Sequence, residues 1–495
     1  MTGNSLFLLP AMLLTALSCA ATAVECRPGE LSSLVEAPGG IAELKLTGSA
    51  NASDFFFIAS EMPSLRTLDI SECSIEAYSG AAINGLTSYP AATVPQGAFA
   101  GTAISEIIFP TNASISIGDC AFAGTPVETL TLTGGIASIG QGAFAGCHSL
   151  RSVVLGSSAM GGYVFSNCSA LTDVEFRSPI ALGDGEFEGC SALARLGQTT
   201  AVTAIGNKAF AGCGSLTEFT FANVLAKLGD AAFASTSLEV ARLDHCTKLE
   251  SVGAWAFAGN SSLTTVTLPI SCITIGEGMC FGCTSLSAMT FPAYLSEIPP
   301  YMLAGDTSLK GLSVPAHSTA IGEYAFAGTS GVKEMSLPEP LEYIGDNAME
   351  GMTSLTVIAA QALKDVPELG RTVWQGVRQS DVRLEVYPDM AASFEAAGQW
   401  REFHIVPSEA HDGLEDITTP EAALHAFFDG TLLKVSATGT DIASLELFDL
   451  AGRTLVSMPV GAASAQTDTA PFSNDIFLIR CILGTGNAAI LKLAR

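Results

Sequence analysis

A segment of about 23 residues recurs along most of this chain and restricts what it can fold into. The stretch Ile139–Leu150 reads IGQGAFAGCHSL, and similar letters return at Ile205–Leu216 and Ile321–Val332. The residue in the middle of the segment, here called the Phe position, returns at spacings of 21 to 24 residues. It is occupied by Phe99, Phe122, Phe144, Phe165, Phe187, Phe210, Phe233, Phe257, Cys280, Leu303, Phe326 and Met349. Such a period is typical of solenoids, in which each repeat forms one coil that contacts only its neighbours.

The spacing L-x-x-L-x-L follows the Phe position, where L stands for an aliphatic or aromatic residue. Leu150, Val153 and Leu155 form one example, and 14 such copies run from Ile41 to Leu355. The last three residues alternate between apolar and variable, which predicts a short strand with one buried side. The letters Ile-Gly and Ala-Phe-Ala-Gly then predict a turn and a short helical or 3₁₀ return that glycine closes.

A single coil is too small to fold alone. It buries about five apolar side chains, each contributing ~1.5–3 kcal/mol. Ordering the backbone costs ~1–2 kcal/mol for every residue of the coil. Coils therefore become stable only where each covers the apolar sides of its neighbours. We expect an α/β repeat solenoid of about 14 coils.

The letters I-G-x-x-A-F-x-x-C-x-S-L-x-x-V-x-L-P resemble those of BspA-like leucine-rich repeat proteins over residues 41–360. The resemblance implies a leucine-rich-repeat fold and a surface protein that adheres to host matrix proteins or to other microbes. Residues 24–360 are the predicted solenoid, with an insertion loop at 71–90. Residues 361–407 break the period and form its predicted C-terminal cap.

The first residues have the pattern of a secretory signal. The apolar run Leu6–Leu17 is shorter than the ~20 residues that span a bilayer, and Ala21-Thr22-Ala23 matches an A-x-A cleavage site. We predict a signal peptide over residues 1–23, with a lipoprotein site at Cys19 as the alternative. No other apolar run approaches 18 residues, so no transmembrane span is predicted.

A polar acidic linker at residues 408–420 precedes a tail, residues 421–495, that has the strand and turn pattern of a small all-β sandwich. The run Phe448–Leu455 and the final strand resemble the C-terminal sorting domain of type IX secretion cargo. This resemblance implies transport by that secretion machinery and attachment to the outer surface of a Gram-negative cell. The matching sorting-motif residues are Asp449, Gly452, Arg453 and Lys492.

Charge and motifs exclude several classes of function. Asp and Glu number 49 against 22 Lys and Arg, for a net charge of −27. Binding to nucleic acid or to an anionic membrane is therefore not expected. The six His do not form a recognisable metal or hydrolase motif, and no phosphate-binding loop occurs. We predict no catalytic, cofactor-binding or metal-binding residues, and no enzymatic activity.

Cysteines recur at the third residue after the Phe position, which indicates a small buried apolar site. They are Cys147, Cys168, Cys190, Cys213 and Cys283. The pair Cys280 and Cys283 has the spacing of a redox or zinc half-site, but the repeat explains both residues. Cys26 and Cys73 are the strongest disulfide candidates.

A row of mostly hydroxyl side chains occupies the variable position between the last two apolar residues of each strand. The candidate binding face is Thr220, Arg242, Thr267, Thr290, Ser313 and Ser336. Strand propensity and cross-strand Thr pairing explain the row without any ligand. A recognition face for an extended partner is the alternative, because solenoids commonly bind along such faces. We predict a monomeric, secreted, surface-attached protein that binds an extracellular protein or glycan; the alternative is a surface spacer or glycan-capture component.

Overall fold

A computed structural model describes residues 21–156, 158–292, 294–408, 424–429, 432–437, 441–448, 454–469, 476–483 and 488–494. The chain divides into two compact units. The first extends to Val406, apart from residues 386–388, which group with the second unit from Pro407 onward.

Most coils of the first unit contribute a strand to what we call the leucine face, built from the L-x-L residues. Neighbouring strands pair in parallel, as Val153 does with Leu130 on one side and Val174 on the other. The face consists of four hydrogen-bonded segments. Their strands are Ala21–Cys26, Glu43–Ala50, Thr67–Ile75 and Glu106–Ile108; Thr129–Leu132, Ser152–Leu155, Asp173–Phe176 and Arg195–Gly197; Val240–Arg242, Thr265–Thr267 and Ala288–Thr290; Gly311–Ser313, Glu334–Ser336, Val357–Ala359, Arg383–Val386 and His404–Pro407.

A second strand in most coils, which the repeat letters did not predict, ends at the apolar residue before the glycine of the repeat, or before proline after Val94 and Ile298. These strands form the isoleucine face, again by parallel pairing, as between Ile298 and Ile321. Their bounds are Thr93–Val94, Ile115–Ile117, Ile136–Ile139, Ala159–Met160, Ile180–Leu182, Val202–Ile205, Lys227–Leu228, Ser251–Val252, Thr274–Ile275, Glu297–Ile298, Ala320–Ile321, Tyr343–Ile344 and Glu368–Leu369.

The return through Ala-Phe-Ala-Gly is a series of turns, where the sequence predicted a helical or 3₁₀ segment. The Phe144 N–H donates to the Val164 carbonyl (2.9 Å), and the Gly146 N–H donates to the Ser166 carbonyl (2.8 Å), both in the next coil. The N–H groups between them bond three residues back, as the Ala145 N–H does to the Gly142 carbonyl (3.0 Å). The next coil thus takes every second N–H, which leaves single turns, and so short a segment gains little from nucleating a helix. The solenoid prediction is confirmed, but the molecule contains little helix.

Helices are confined to the ends of the solenoid and a few short turns. The α-helices of the described residues are Leu31–Leu34, Ala52–Glu61 and Ala391–Ala396. The 3₁₀ helices are Pro38–Gly40, Thr199–Ala201, Gln379–Asp381, Pro388–Met390 and Gln399–Glu402. Asn51 and Asp54 form a capping box at the start of Ala52–Glu61, and the buried Asp54 carboxylate also accepts the Gly29 and Leu31 N–H groups (2.7 and 3.0 Å).

The core of the solenoid is a continuous stack of phenyl rings at the Phe position. From Phe99 to Phe257 the eight rings are fully buried. Successive centroids lie 5.1 to 5.8 Å apart with planes within 16° of parallel. The repeat spacing therefore places one ring per coil at the same point of the cross-section.

The solenoid has about 17 coils, where the sequence predicted about 14. The additional leucine-face strands are Ala21–Cys26 before the first predicted copy and Arg383–Val386 and His404–Pro407 after the last. Residues 361–407 thus continue the ladder after the repeat letters fade, because backbone pairing does not require the repeat's side chains. Trp374, Trp400 and Phe403 pack there with centroids 4.9 to 5.9 Å apart.

The insertion at 71–90 contains a β-hairpin. Its antiparallel strands are Tyr78–Ile83 and Leu86–Tyr89. The two residues between them, Asn84 and Gly85, both have positive φ (48° and 82°), as a tight hairpin turn requires. The Asn-Gly pair was the sequence signal for this hairpin.

The second unit consists of two antiparallel sheets, as expected for a small β-sandwich. One contains Leu424–Asp429, Leu432–Ala437 and Ser464–Asp468; the other contains Ile442–Phe448, Thr454–Ala462, Ile476–Leu483 and Ala488–Ala494. Leu433 and Val435 of the first sheet share a buried cluster with Leu445, Leu447 and Ile479 of the second. This common core joins the two sheets.

Candidate functional site: two clefts on the leucine face

The six predicted face residues lie on the leucine face, but in three groups. Arg242, Thr267 and Thr290 stand directly opposite one another in one segment. Ser313 and Ser336 are paired in the next segment. Thr220 lies in a coil that has no strand on this face. The row is therefore interrupted on both sides of Arg242–Thr290.

The first interruption is the coil Thr217–Phe221. Phe219 and Phe221 occupy its last two leucine positions and are buried, at 8% and 2% exposure. Their rings pack on Phe233 with centroids 5.0 and 5.5 Å away. We attribute the missing strand to these rings, which are wider than the leucine side chains that normally allow the coils to approach.

A cleft of about 440 Å³ opens at this interruption. Thr220 and Arg242 both line it, together with Glu218, Glu239 and His245. The His245 imidazole Nε2 lies 2.8 Å from the Phe221 carbonyl oxygen, which orients the ring at the edge of the cleft. The cleft thus combines hydroxyl, carboxylate, guanidinium and imidazole groups above two phenyl rings.

A second cleft of about 390 Å³ separates Ala288–Thr290 from Gly311–Ser313. Thr290 and Ser313 stand on its opposite sides, and Met289 and Phe291 also line it. Phe291, like Phe221, occupies the last leucine position of its coil. Gly311 adds no side chain, and a Cβ placed there would come no closer than 3.9 Å to another atom among those described.

Some hydroxyl groups of the predicted face form hydrogen bonds with other side chains. The Thr267 hydroxyl donates to the Asp244 carboxylate (3.0 Å), and the Ser336 hydroxyl donates to that of Ser313 (3.1 Å). Ser336 and Ser313 thus form a cross-strand pair, and Thr267 bonds to a side chain of the preceding coil. Thr220, Arg242, Thr290 and Ser313 line the clefts. The sequence reasoning missed the clefts themselves. Phenylalanine at the last leucine position is not a sufficient signal, because Phe176 occupies it in a strand that pairs on both sides.

The repeated cysteines have a structural role. Each of the five Sγ atoms lies 3.1 to 3.3 Å from the carbonyl oxygen of the Phe position one coil earlier. Burial raises the pKa of the Cys213 thiol to about 12, and the adjacent Cys283 side chain and burial raise the pKa of Cys280 well above its usual range. The Cys213 and Cys280 thiols are therefore poor nucleophiles. Cys26 and Cys73 are free and stand on either side of Gly48 in the sheet register, so two strand spacings separate their backbones.

Other predicted sites fall partly outside the described residues. Asp449, Gly452 and Arg453 of the sorting motif lie outside them, as do Cys19 and residues 1–20 of the predicted signal. Lys492 lies in the strand Ala488–Ala494, opposite Leu478.

The described residues contain neither a candidate metal site nor a candidate membrane helix. In the part of the chain that the structure covers, no cluster of His, Cys, Asp or Glu is arranged to hold a metal ion. No helix of these residues has the length and apolar character needed to cross a bilayer.

Comparison with known proteins points to one repeat family. The family model described as "BspA type Leucine rich repeat region (6 copies)" matches residues 92–196, 180–310 and 296–372. No curated protein matches the chain. Among solved structures, a leucine-rich repeat protein from Bacteroides ovatus is 19% identical with a TM-score of 0.48, covering 71% of this chain and 86% of its own.

Two further solved structures are similar to this chain. A leucine rich cell surface protein from Faecalibacterium prausnitzii is 21% identical with a TM-score of 0.35, over 56% of this chain and 85% of that one. The pneumococcal vaccine antigen PcpA is 14% identical with a TM-score of 0.33, over 79% and 84%.

Proposed function

The chain belongs to the BspA-type leucine-rich repeat family, and on this premise we propose that it is a non-enzymatic cell-surface protein that binds an extracellular protein or glycan through its leucine face. The observation that supports the proposal is the pair of clefts. Four of the six face residues chosen from the sequence, Thr220, Arg242, Thr290 and Ser313, line them. Clefts of this size, with apolar floors and a few polar groups, suit small parts of a ligand such as a side chain or a sugar.

The proposed route to the surface uses both ends of the chain. Residues 1–23 direct export across the inner membrane as a signal peptide, and residues 421–495 direct passage through type IX secretion. Asp449, Gly452, Arg453 and Lys492 are the proposed sorting residues. The protein is then attached, as a monomer, to the outer surface of a Gram-negative cell. There it acts as an adhesin for host matrix proteins or for other microbes.

Tryptophan substitutions that fill the clefts test the proposal. The full chain is screened against matrix proteins, mucins, glycans and bacterial surfaces, and Thr220→Trp and Ser313→Trp are then measured on the ligands that bind. Thr131→Trp is the matched control, since Thr131 has the same exposed position in the strand Thr129–Leu132 and lines neither cleft. We expect a loss of at least about tenfold in affinity for the cleft variants, as hot-spot contacts are removed, and less than about twofold for the control.

Three results would count against this proposal. Equal effects of all three substitutions would mean that the clefts are not the site. Binding to no ligand on the screen would favour the alternative of a surface spacer. Binding to glycans alone would favour a glycan-capture component over an adhesin. The cleft variants would then show whether the leucine face binds the glycan.

A further inference from the structure

A row of aromatic side chains lies outside the leucine face, in the turn after the isoleucine-face strand. The residue two before the Phe position has a left-handed backbone in successive coils, and in four of them it is aromatic. Tyr163 stands apart from the others along the chain, whereas Trp255, Tyr301 and Tyr324 (φ 56°, 57° and 52°) lie in neighbouring coils. Phe281, at the residue after the Phe position, lies beside them and is 42% exposed. We call Trp255, Phe281, Tyr301 and Tyr324 the aromatic row. None of them lines either cleft.

The four rings form one continuous surface across several coils. The intervening coil has Gly278 at the aromatic position, and the Trp255 indole lies over it, where a Cβ on Gly278 would clash with the ring. The indole centroid is 5.5 Å from that of Phe281 and 6.0 Å from that of Tyr301. The Tyr301 and Tyr324 rings are nearly parallel, 5.2 Å apart. Trp255, Tyr301 and Tyr324 are half-buried, so each keeps part of its ring in solvent.

Two carboxylates accompany the rings. The Trp255 indole Nε1 donates to Glu277 (3.3 Å), and burial together with the Glu323 carboxylate raises the pKa of Tyr301. Across the residues that the structure describes, neither glutamate forms an ion pair with Lys or Arg. The sequence has no Lys or Arg between Lys248 and Lys310. The negative charge beside the aromatic row is therefore not neutralised within the chain.

From these contacts we infer that the aromatic row, with Glu277 and Glu323, binds a basic side chain, Lys or Arg, of a partner protein. The faces of Trp and Tyr attract cations, and an adjacent carboxylate adds a charge-assisted hydrogen bond. A neutral sugar would stack on the same rings but would leave the two carboxylates without a cation, so the charge favours a basic side chain. The site is separate from the clefts and does not depend on their function.

Trp255 provides a direct optical signal for this site. The chain has three Trp, and the other two, Trp374 and Trp400, are 2% and 1% exposed. Intrinsic fluorescence of the full chain is followed during titration with hexalysine, hexaarginine and fully acetylated hexalysine. We expect a saturable change in emission with the two cationic peptides that weakens as salt is added, and none with the acetylated peptide. An equal response to the acetylated peptide, or a larger one to neutral oligosaccharides, would overturn the inference.

Charge-matched variants separate this site from general attraction to an acidic protein. Binding of fluorescein-labelled hexalysine is measured by anisotropy for Glu277→Gln/Glu323→Gln and for the control Glu61→Gln/Glu395→Gln, which removes two exposed carboxylates elsewhere. Trp255→Leu keeps an apolar cover over Gly278, and Tyr163→Leu is its control at the same coil position.

We expect about a tenfold weaker affinity for Glu277→Gln/Glu323→Gln and for Trp255→Leu, and less than about twofold for each control. Thr220→Trp and Ser313→Trp should leave hexalysine binding unchanged, so the outcome is independent of the leucine-face proposal. Equal losses in the variants and their controls, with folding verified by circular dichroism, would show that the attraction is non-specific.

Discussion

At the scale of single residues, two buried carboxyl groups depart from the repeat. Glu186 takes the place of the alanine before the Phe position, and Asp306 takes the place of the repeated cysteine. Both are fully buried, and neither carboxyl has a hydrogen-bond partner among the described residues. Burial, with a smaller contribution from Cys283, raises the pKa of Asp306 to about 10. The solenoid therefore holds Asp306 in its neutral form at neutral pH.

Asp306→Asn is expected to stabilise the protein. Asn260 occupies the same coil position, and its amide donates to the Phe233 and Phe257 carbonyls, both at 2.7 Å. An asparagine at 306 can make the equivalent bonds, which removes an unsatisfied buried group costing about 1–3 kcal/mol. The measurement is the free energy of unfolding in urea at several pH values.

The gain from Asp306→Asn should depend on pH. Because the folded pKa is raised, the stability that wild-type Asp306 retains is fully present below the unfolded pKa of ~3.9 and falls as pH rises towards the folded value. The advantage of Asn should therefore grow from pH 4 to pH 8. Asp365→Asn, at an exposed position, is the control and should show no such trend. A gain that is independent of pH would refute this account of Asp306.

At the scale of the coil, one phenylalanine per repeat determines the packing between neighbours. Phe165 lies between Phe144 and Phe187, with centroids 5.8 and 5.6 Å away, and is fully buried. Phe165→Ala should lower the free energy of unfolding by about 3–5 kcal/mol, because it leaves a cavity in the stack. Denaturant unfolding measures the loss, with the exposed Phe281→Ala as the comparison. A similar small loss for both would mean that the stack contributes little.

The first cleft should result from Phe219 and Phe221, which occupy the last two leucine positions of the coil Thr217–Phe221. Phe219→Leu/Phe221→Leu restores the usual leucines and should let the coil Thr217–Phe221 pair with its neighbours as the other coils do. Hydrogen exchange then should show increased protection of the Thr220 amide, and any ligand of the first cleft should bind more weakly. Unchanged protection would show that the ring size does not cause the interruption.

At the scale of the whole molecule, the acidic charge and the proposed export signals define where the protein would work. A net charge of −27 suits an exported protein that meets basic groups on a partner, with an affinity that salt reduces. If residues 1–23 are a signal peptide, the mature protein should begin at Val24 and keep only Val24–Cys26 of the strand Ala21–Cys26. Mass spectrometry of the surface-attached protein should find that N-terminal peptide. A lipid-modified Cys19 would instead support the lipoprotein alternative.

The fold was predictable from the sequence because a repeat gives every coil the same environment. A Phe or Leu at a given position of the period meets the equivalent residue of the next coil, so a single unit is enough to predict the buried ring stack. The exposed placement of Thr220, Arg242, Thr290 and Ser313 followed from the same alternation. The hairpin at 78–89 was predicted only as a loop, although Asn84-Gly85 is a sequence signal for a tight hairpin turn.

What the sequence by itself determined was the solenoid, its period and its buried positions, because these depend on local spacing and on identical neighbours. Only the tertiary structure decided how far the ladder extends, whether the return is helical, and where the leucine face opens. Those features depend on distances between coils, which respond to side-chain size at single positions such as Phe221. The aromatic row depends on them as well: Trp255 reaches Tyr301 because Gly278 leaves the intervening space empty, a contact that lies outside the period.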